Sequence, residues 1–132
     1  MKTIFLTFLT IFFAGVFSAE AQTAQTLKLR VNGQKTVTAD KLKIKFVSLV
    51  EDSRCPEGVD CVWAGNARIK IKVTDQRGRT ETFEINTNMG AKGASFGGYA
   101  INLETLTPTP KADAKLNQNA YTATFNISRL TR

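Results

Sequence analysis

Histidine is missing from all 132 residues, and that single absence removes a large part of enzyme chemistry. Ser-His-Asp and Cys-His nucleophile systems, His-ligated zinc and histidine general bases each need an imidazole, so none is open to this chain. Cysteine is almost missing as well. Two residues, Cys55 and Cys61, are too few for a cysteine-dense mini-protein. There are three prolines, and no long linker, low-complexity tract or internal repeat, so length and composition allow one domain.

Long apolar runs are confined to the start of the chain. Lys2 supplies a short positive region, residues 4–16 are apolar apart from Thr7, Thr10 and Gly15, and Ala19-Glu20-Ala21 is a small-x-small cleavage site. The apolar stretch is shorter than the ~20 residues needed to span a bilayer. Residues 1–21 therefore read as a cleaved secretory signal and residues 22–132 as the mature domain, with no transmembrane segment left after cleavage. No cysteine stands at the cleavage point to take a lipid. The expected location is the periplasm or the medium. Five of nine phenylalanines (Phe5, Phe8, Phe12, Phe13, Phe17) leave with the signal, so the core must come from Val, Ile and Leu with Phe46, Phe83, Phe96, Phe125, Trp63, Tyr99 and Tyr121. Loss of Lys2 and Glu20 turns 18 − 11 = +7 into 17 − 10 = +7, and the protein stays basic.

What the remaining sequence has in quantity is period-two alternation. Leu27, Leu29 and Val31 alternate with Lys28 and Arg30, and Asn32-Gly33 offers the positive-φ residues of a hairpin turn into a strand over 34–38. Leu42, Ile44 and Phe46 alternate with Lys41, Lys43 and Lys45, with a bulge expected near Ser48. Ala67, Ile69, Ile71 and Val73 alternate with Arg68, Lys70 and Lys72, and a turn at 75–78 returns the chain through Phe83 and Ile85. A glycine-rich connection (Asn88, Gly90, Gly93, Gly97, Gly98) lacks the spacing of a phosphate loop. Tyr99, Ile101 and Leu103 mark a strand ended by Thr107-Pro108-Thr109-Pro110, since proline cannot donate to a ladder. A polar connection with room for a helical turn follows, then a last strand through Tyr121, Ala123, Phe125 and Ile127. About seven strands in this length predict an all-β, antiparallel β-sandwich with immunoglobulin-like Greek-key connections, or a small β-barrel.

The two cysteines close a short loop in the middle. In an oxidising compartment they are expected to form a disulfide, too local to join the two sheets of an antibody-type domain. Pro56 fixes one φ and Gly58 permits a turn. The segment over 52–65, D-S-R-C-P-x-x-V-x-C-x-W-A-G, resembles one found in small exported bacterial proteins of uncharacterised function. A looser likeness runs over 98–110. The resemblance implies a shared β fold and an exported location, and brings no catalytic residue, ligand or partner.

Two readings of the loop follow from its chemistry. In the structural one, the disulfide, Pro56 and a Trp63 packed near the bridge staple a long connection onto a small core. In the recognition one, a rigid loop presents Arg54, Pro56, Glu57 and Val59, with Trp63 beside them, to an extracellular or periplasmic protein at little entropic cost, in the manner of a protease inhibitor. Glu51, Asp52, Glu57 and Asp60 also place four carboxylates close together, but their spacing does not match a calcium loop, and no metal site is assigned.

A second constellation is cationic. Lys41, Lys43, Lys45, Arg68, Lys70 and Lys72, with Lys28 and Arg30, occupy the polar phase of their strands. Such a face either keeps a secreted sandwich soluble and its edges unpaired or attracts anionic polysaccharide or lipid headgroups. No aromatic residue interleaves with the lysines, which argues against nucleic acid. Catalysis is not expected. Ser-Lys spacing of the S-x-x-K type is absent, and Glu81 and Glu84 differ in strand phase, so they cannot converge as a carboxylate pair. No motif calls for a cofactor.

Overall fold

The computed structural model of the chain describes residues 15–16, 23–37 and 40–131. The expected signal peptide over 1–21 lies, apart from Gly15 and Val16, outside the described residues. Eight strands run through them: β1 (Gln25–Arg30), β2 (Gln34–Val37), β3 (Leu42–Asp52), β4 (Ala67–Thr74), β5 (Thr80–Asn86), β6 (Gly93–Phe96), β7 (Tyr99–Thr107) and β8 (Thr122–Arg129). They form two antiparallel four-stranded sheets, ordered β1-β8-β7-β6 and β2-β3-β4-β5. Alternation decides which side chains meet between them. Leu42, Ile44, Phe46, Ile69, Ile71, Val73 and Ile85 of one sheet and Leu27, Leu29, Ile101, Leu103, Phe125 and Ile127 of the other form one buried core, with Phe46 and Phe125 the largest enclosed side chains. The sandwich read from the alternation is the fold.

The connections run mainly between sequence neighbours. Each sheet is a meander of sequence neighbours, and the one exception is β1, which lies beside β8. The tight turns of the chain explain this. Asp75 closes the β4–β5 hairpin by accepting from the backbone N–H groups of Arg77 and Arg79 and from the Arg79 guanidinium, so β5 returns directly alongside β4, as the 75–78 turn predicts.

The Asn32-Gly33 turn works differently from the hairpin read there. Gly33 N–H donates to the Arg30 carbonyl, so Val31 and Asn32 are the central residues, and only Asn32 takes a positive φ, of 67°. The strands on either side do not pair. Val31 N–H still donates to Tyr121 in the first sheet, whereas Asn32 N–H donates to Phe46 of the second at 2.7 Å. The chain therefore changes sheets at this turn. The glycine-rich connection is also more ordered than expected, since it contains β6, whose residues pair with β7 from Gly93↔Asn102 to Phe96↔Tyr99. Phe96 meets Phe83 of β5 edge to face, with centroids 6.3 Å apart. In the polar connection before β8, the helical turn is a single 3-10 turn, Gln118–Ala120.

Burial sets the stability expectation. Phe125→Ala, which empties the centre of the core, should cost about 3–5 kcal/mol in chemical denaturation, whereas Lys28→Ala on the outward side of β1 should stay within about 0.5 kcal/mol.

Candidate functional site

The long strand β3 delivers the site. Its register against β4 slips between Phe46 and Ser48 and again between Leu49 and Glu51, the first at the place where the alternation pattern weakens. Each bulge adds one residue and turns the strand further. Leu49, opposite Ile69, therefore points inward where unbroken alternation would have placed Ser48. After the second slip Asp52, opposite Ala67, points inward as well.

A carboxylate on the inner side of a sheet needs partners, and Asp52 accepts four hydrogen bonds. Arg54 binds it side-on, with Nε to Oδ1 and Nη2 to Oδ2 both at 2.8 Å, and its backbone N–H also donates to Oδ1. Tyr121, buried just before β8, donates its hydroxyl to Oδ2 at 2.9 Å. Arg54 has donors to spare, and they reach across to the other sheet. Nη1 donates to the Leu106 carbonyl at 2.6 Å and Nη2 to the Pro108 carbonyl at 2.8 Å. The Asp52 and Arg54 side chains are only 7% and 14% exposed. Burial pushes the Asp52 carboxyl up, but the hydrogen bonds from Arg54 and Tyr121 and the Arg54 charge outweigh it and hold the acid below its ordinary 3.8. For the Tyr121 hydroxyl, burial and the adjacent carboxylate act in the same direction and raise it above 10.0.

Beyond Asp52 the β3–β4 hairpin continues as a narrow ladder. Ser53 N–H donates to the Asn66 carbonyl at 2.7 Å and Cys55 N–H to the Ala64 carbonyl at 2.9 Å. Gly65 takes φ +72°, and a Cβ there would collide with the Ser53 carbonyl, so glycine is required for the two strands of the loop to approach this closely. Asn66, the buried polar side chain of the region, serves as a hub. Its Nδ2 donates to Asn86, and its Oδ1 accepts from the backbone N–H groups of Asn88 and Met89, each at 3.1 Å. The disulfide joins Cys55 and Cys61 with their Cα atoms 5.9 Å apart. On the far side, Glu57 N–H donates to the Pro110 carbonyl at 2.9 Å. The loop is thus fixed at its base by Asn66, on one flank by Arg54 and Glu57, and at its end by the disulfide.

The residues read as presented divide into two groups. Arg54 faces inward and is committed to Asp52, Leu106 and Pro108, so it holds the loop in place and is not displayed. Pro56 is half-buried, and its carbonyl accepts from Val59 N–H. Glu57 and Val59 are exposed. Trp63 is not the buried side chain of the structural reading; it is 57% exposed, and Val62 beside it is fully exposed. Of the exposed large apolar side chains among the described residues, Val50, Val59, Val62, Trp63 and Met89 come from the loop, from β3 just before it or from the segment bound to Asn66, leaving only Val16 and Leu130 elsewhere. Val62, Met89 and the Asn66 hub carry no motif. The Asp52–Arg54 pair did have a signal, since residues two apart on a strand share a face.

The four loop carboxylates do not converge. Asp52 is turned to Arg54 and Tyr121, Glu51 faces Arg68 at 3.6 Å, and among the described residues no three acids or cysteines gather as metal ligands. Of the cationic residues, Lys28 and Arg30 lie on β1 in one sheet, while Lys43, Lys45, Arg68, Lys70 and Lys72 share the outer face of the other. One face for all of them would need their strands in one sheet; β1 lies in the other, so Lys28 and Arg30 stand apart from the rest. Lys41 stands before β3, with φ 53°. At the opposite end of the sandwich a groove of about 220 Å³ runs between Asp40, Arg77, Arg79 and Tyr99. Its carboxylates are already engaged, Asp40 by Tyr99 and Arg129 and Asp75 by Arg79.

Compared with known families, with characterised proteins and with solved structures, the chain matches none. Among the described residues no helix is long and apolar enough to cross a membrane.

The Asp52–Arg54 pair makes a prediction about stability and pH. Arg54→Ala, which strands a nearly buried carboxylate, should cost about 3 kcal/mol, and Arg54→Lys should recover only part, since an ammonium cannot bind side-on and reach two carbonyls. Because the folded state holds Asp52 below its ordinary value, the stabilisation is complete above pH 3.8 and is lost as pH falls through the folded value. Asp75 is also held low, so the diagnostic quantity is the difference between wild type and Asp52→Asn. Denaturation curves should show a gap at pH 7 that narrows progressively below pH 3.8.

Proposed function

We propose that this protein is an exported, non-catalytic domain that binds another protein of the periplasm or medium through the outer end of the 53–66 loop. The observation that supports it best is the exposure of Trp63, Val62 and Val59 within one loop whose backbone is tied down on both sides. A large aromatic left in water on a fixed loop is the usual form of a binding anchor, because it brings a large apolar area to a contact with little entropy left to lose. Glu57 and Asp60, both exposed, flank the apolar residues, so the partner surface that fits is an apolar pocket with a basic rim. An inhibitor-like insertion into a protease cleft is one form of this reading, by analogy of loop shape alone. Arg54, Pro56 and the disulfide then act as positioning elements, and Glu57, Val59, Val62 and Trp63 as the contact. Export rests on the signal-like start of the sequence and fits a disulfide that persists only in an oxidising compartment.

Trp63 is the single tryptophan of the chain, which makes the test specific. The oxidised protein would be used to capture partners from the envelope and medium of its producer, and each captured protein, once purified, titrated against it while Trp63 fluorescence is followed. We expect a saturable change that survives ~0.5 M salt, and an affinity about 30-fold lower for Trp63→Ala, the effect of losing a ~2 kcal/mol anchor. The Cys55→Ser/Cys61→Ser variant should also bind more weakly. A partner whose affinity is unchanged by Trp63→Ala and by Val62→Ser would overturn the reading.

A further inference from the structure

We infer that the outer face of the β2–β5 sheet is a separate binding surface for an acidic polysaccharide, centred on Lys43, Lys45 and Lys72. The register gives the layout. Lys45 stands directly opposite Lys72, with Gln34 and Thr82 continuing the row on β2 and β5. The neighbouring row runs Thr36, Lys43, Thr74, Thr80. Directly opposed side chains in an antiparallel pair lie about 5 Å apart at Cβ, and like charges there are destabilising. The same face shows how the chain neutralises charge elsewhere. In its other half Lys70 stands opposite Glu84, and Arg68 lies between Glu51 and Glu84 at 3.6 and 3.5 Å. Among the described residues Lys43, Lys45 and Lys72 make no ion pair and, unlike Lys70, have no carboxylate opposite them in the register. Three cations are therefore held close together, without carboxylates, on a protein whose net charge is already +7.

The surroundings select the ligand. Hydroxyls and an amide from Thr36, Thr74, Thr80, Thr82 and Gln34 border the lysines, and these both donate and accept, as sugar hydroxyls require. No aromatic side chain stands on this face to stack a nucleic-acid base. No exposed apolar side chain stands beside the three lysines to enter a bilayer. The exposed apolar residues of the sheet and its loop lie toward the Asp52 end, past the ion-paired half. Along β3, Lys43 and Lys45 are two residues apart, about 6.8 Å, which suits a polymer carrying one negative group on each sugar.

The test uses the full protein with polygalacturonate (carboxylated), dextran sulfate (sulfated) and neutral dextran, in calorimetry or affinity electrophoresis at ~50 mM salt. Two triple variants lose the same net charge in different places: Lys43→Ala/Lys45→Ala/Lys72→Ala on the face, and Lys28→Ala/Arg30→Ala/Lys115→Ala away from it. We expect wild type to bind at least one of the acidic polymers and not neutral dextran, with affinity falling as salt rises. The face variant should bind at least ~10-fold more weakly and with a shallower salt dependence, by up to about 1 in slope per lysine, while the distal variant stays within ~3-fold. Equal losses in the two variants would reduce the effect to net charge and overturn the inference. So would tighter binding to anionic lipid vesicles or single-stranded DNA than to either polymer, or the absence of binding by wild type.

Discussion

Two sheets packed through their side chains resist separation in the middle, where Phe46 and Phe125 are enclosed, but the ends of a sandwich need something more directional. At the end that carries the loop, that role falls to the Asp52 carboxylate. It is on β3 of one sheet, accepts from Tyr121 of the other, and fixes Arg54, whose remaining donors bind the carbonyls of Leu106 and Pro108. One bidentate pair thus couples both sheets, the start of the loop and the end of β7. The disulfide cannot do this, because its two cysteines are six residues apart within the loop and it constrains only the tip. An ion pair with this many satisfied hydrogen bonds specifies geometry more than it adds stability, since its desolvation cost offsets much of its attraction. That is the property a presented loop needs.

Much of this architecture was legible because alternation is a direct consequence of a half-buried strand. The residues of β3, β4, β5, β7 and β8 announced which side they bury, and the bulge near Ser48 showed as a break in the pattern. Other features were hidden for identifiable reasons. A two-residue turn specifies a reversal, but not whether the next strand hydrogen-bonds to the last or to the opposite sheet, so the crossing at Asn32 was invisible. The edge strand β6, four residues with a glycine at its start, looks like a loop because its order comes from β7 and from the Phe96–Phe83 contact. Arg54 looked like a displayed cation because, beyond the nearby Asp52, what draws it inward is two main-chain carbonyls some fifty residues away, and carbonyls leave no mark in a sequence. Trp63 looked like core for a statistical reason that fails when the backbone around it is held by other means.

That failure bears on function. A tryptophan placed in water usually finds cover if the backbone can bend to provide it, and a flexible loop would fold its indole down against the disulfide or the sheet. Here Gly65 is confined by the Ser53 carbonyl, Asn66 by the 86–89 segment, Cys55 by Ala64 and Glu57 by Pro110. The constraints that hold the loop's shape are therefore also those that keep Val62 and Trp63 exposed. This leaves apolar area in contact with water, at ~25 cal/mol per Å², and the proposed binding would recover it without a further ordering cost. The two proposed surfaces accordingly obey different physics. The loop end relies on apolar burial by a rigid element and is insensitive to salt, whereas the lysine face, built from long side chains on a fixed ladder, depends on counterion release and weakens as salt rises. They are separated on the same sheet by the rows of Arg68, Lys70, Glu51 and Glu84, where two carboxylates balance two cations. A single extended partner would have to cross that neutral band, so two independent ligands fit the surface chemistry better than one.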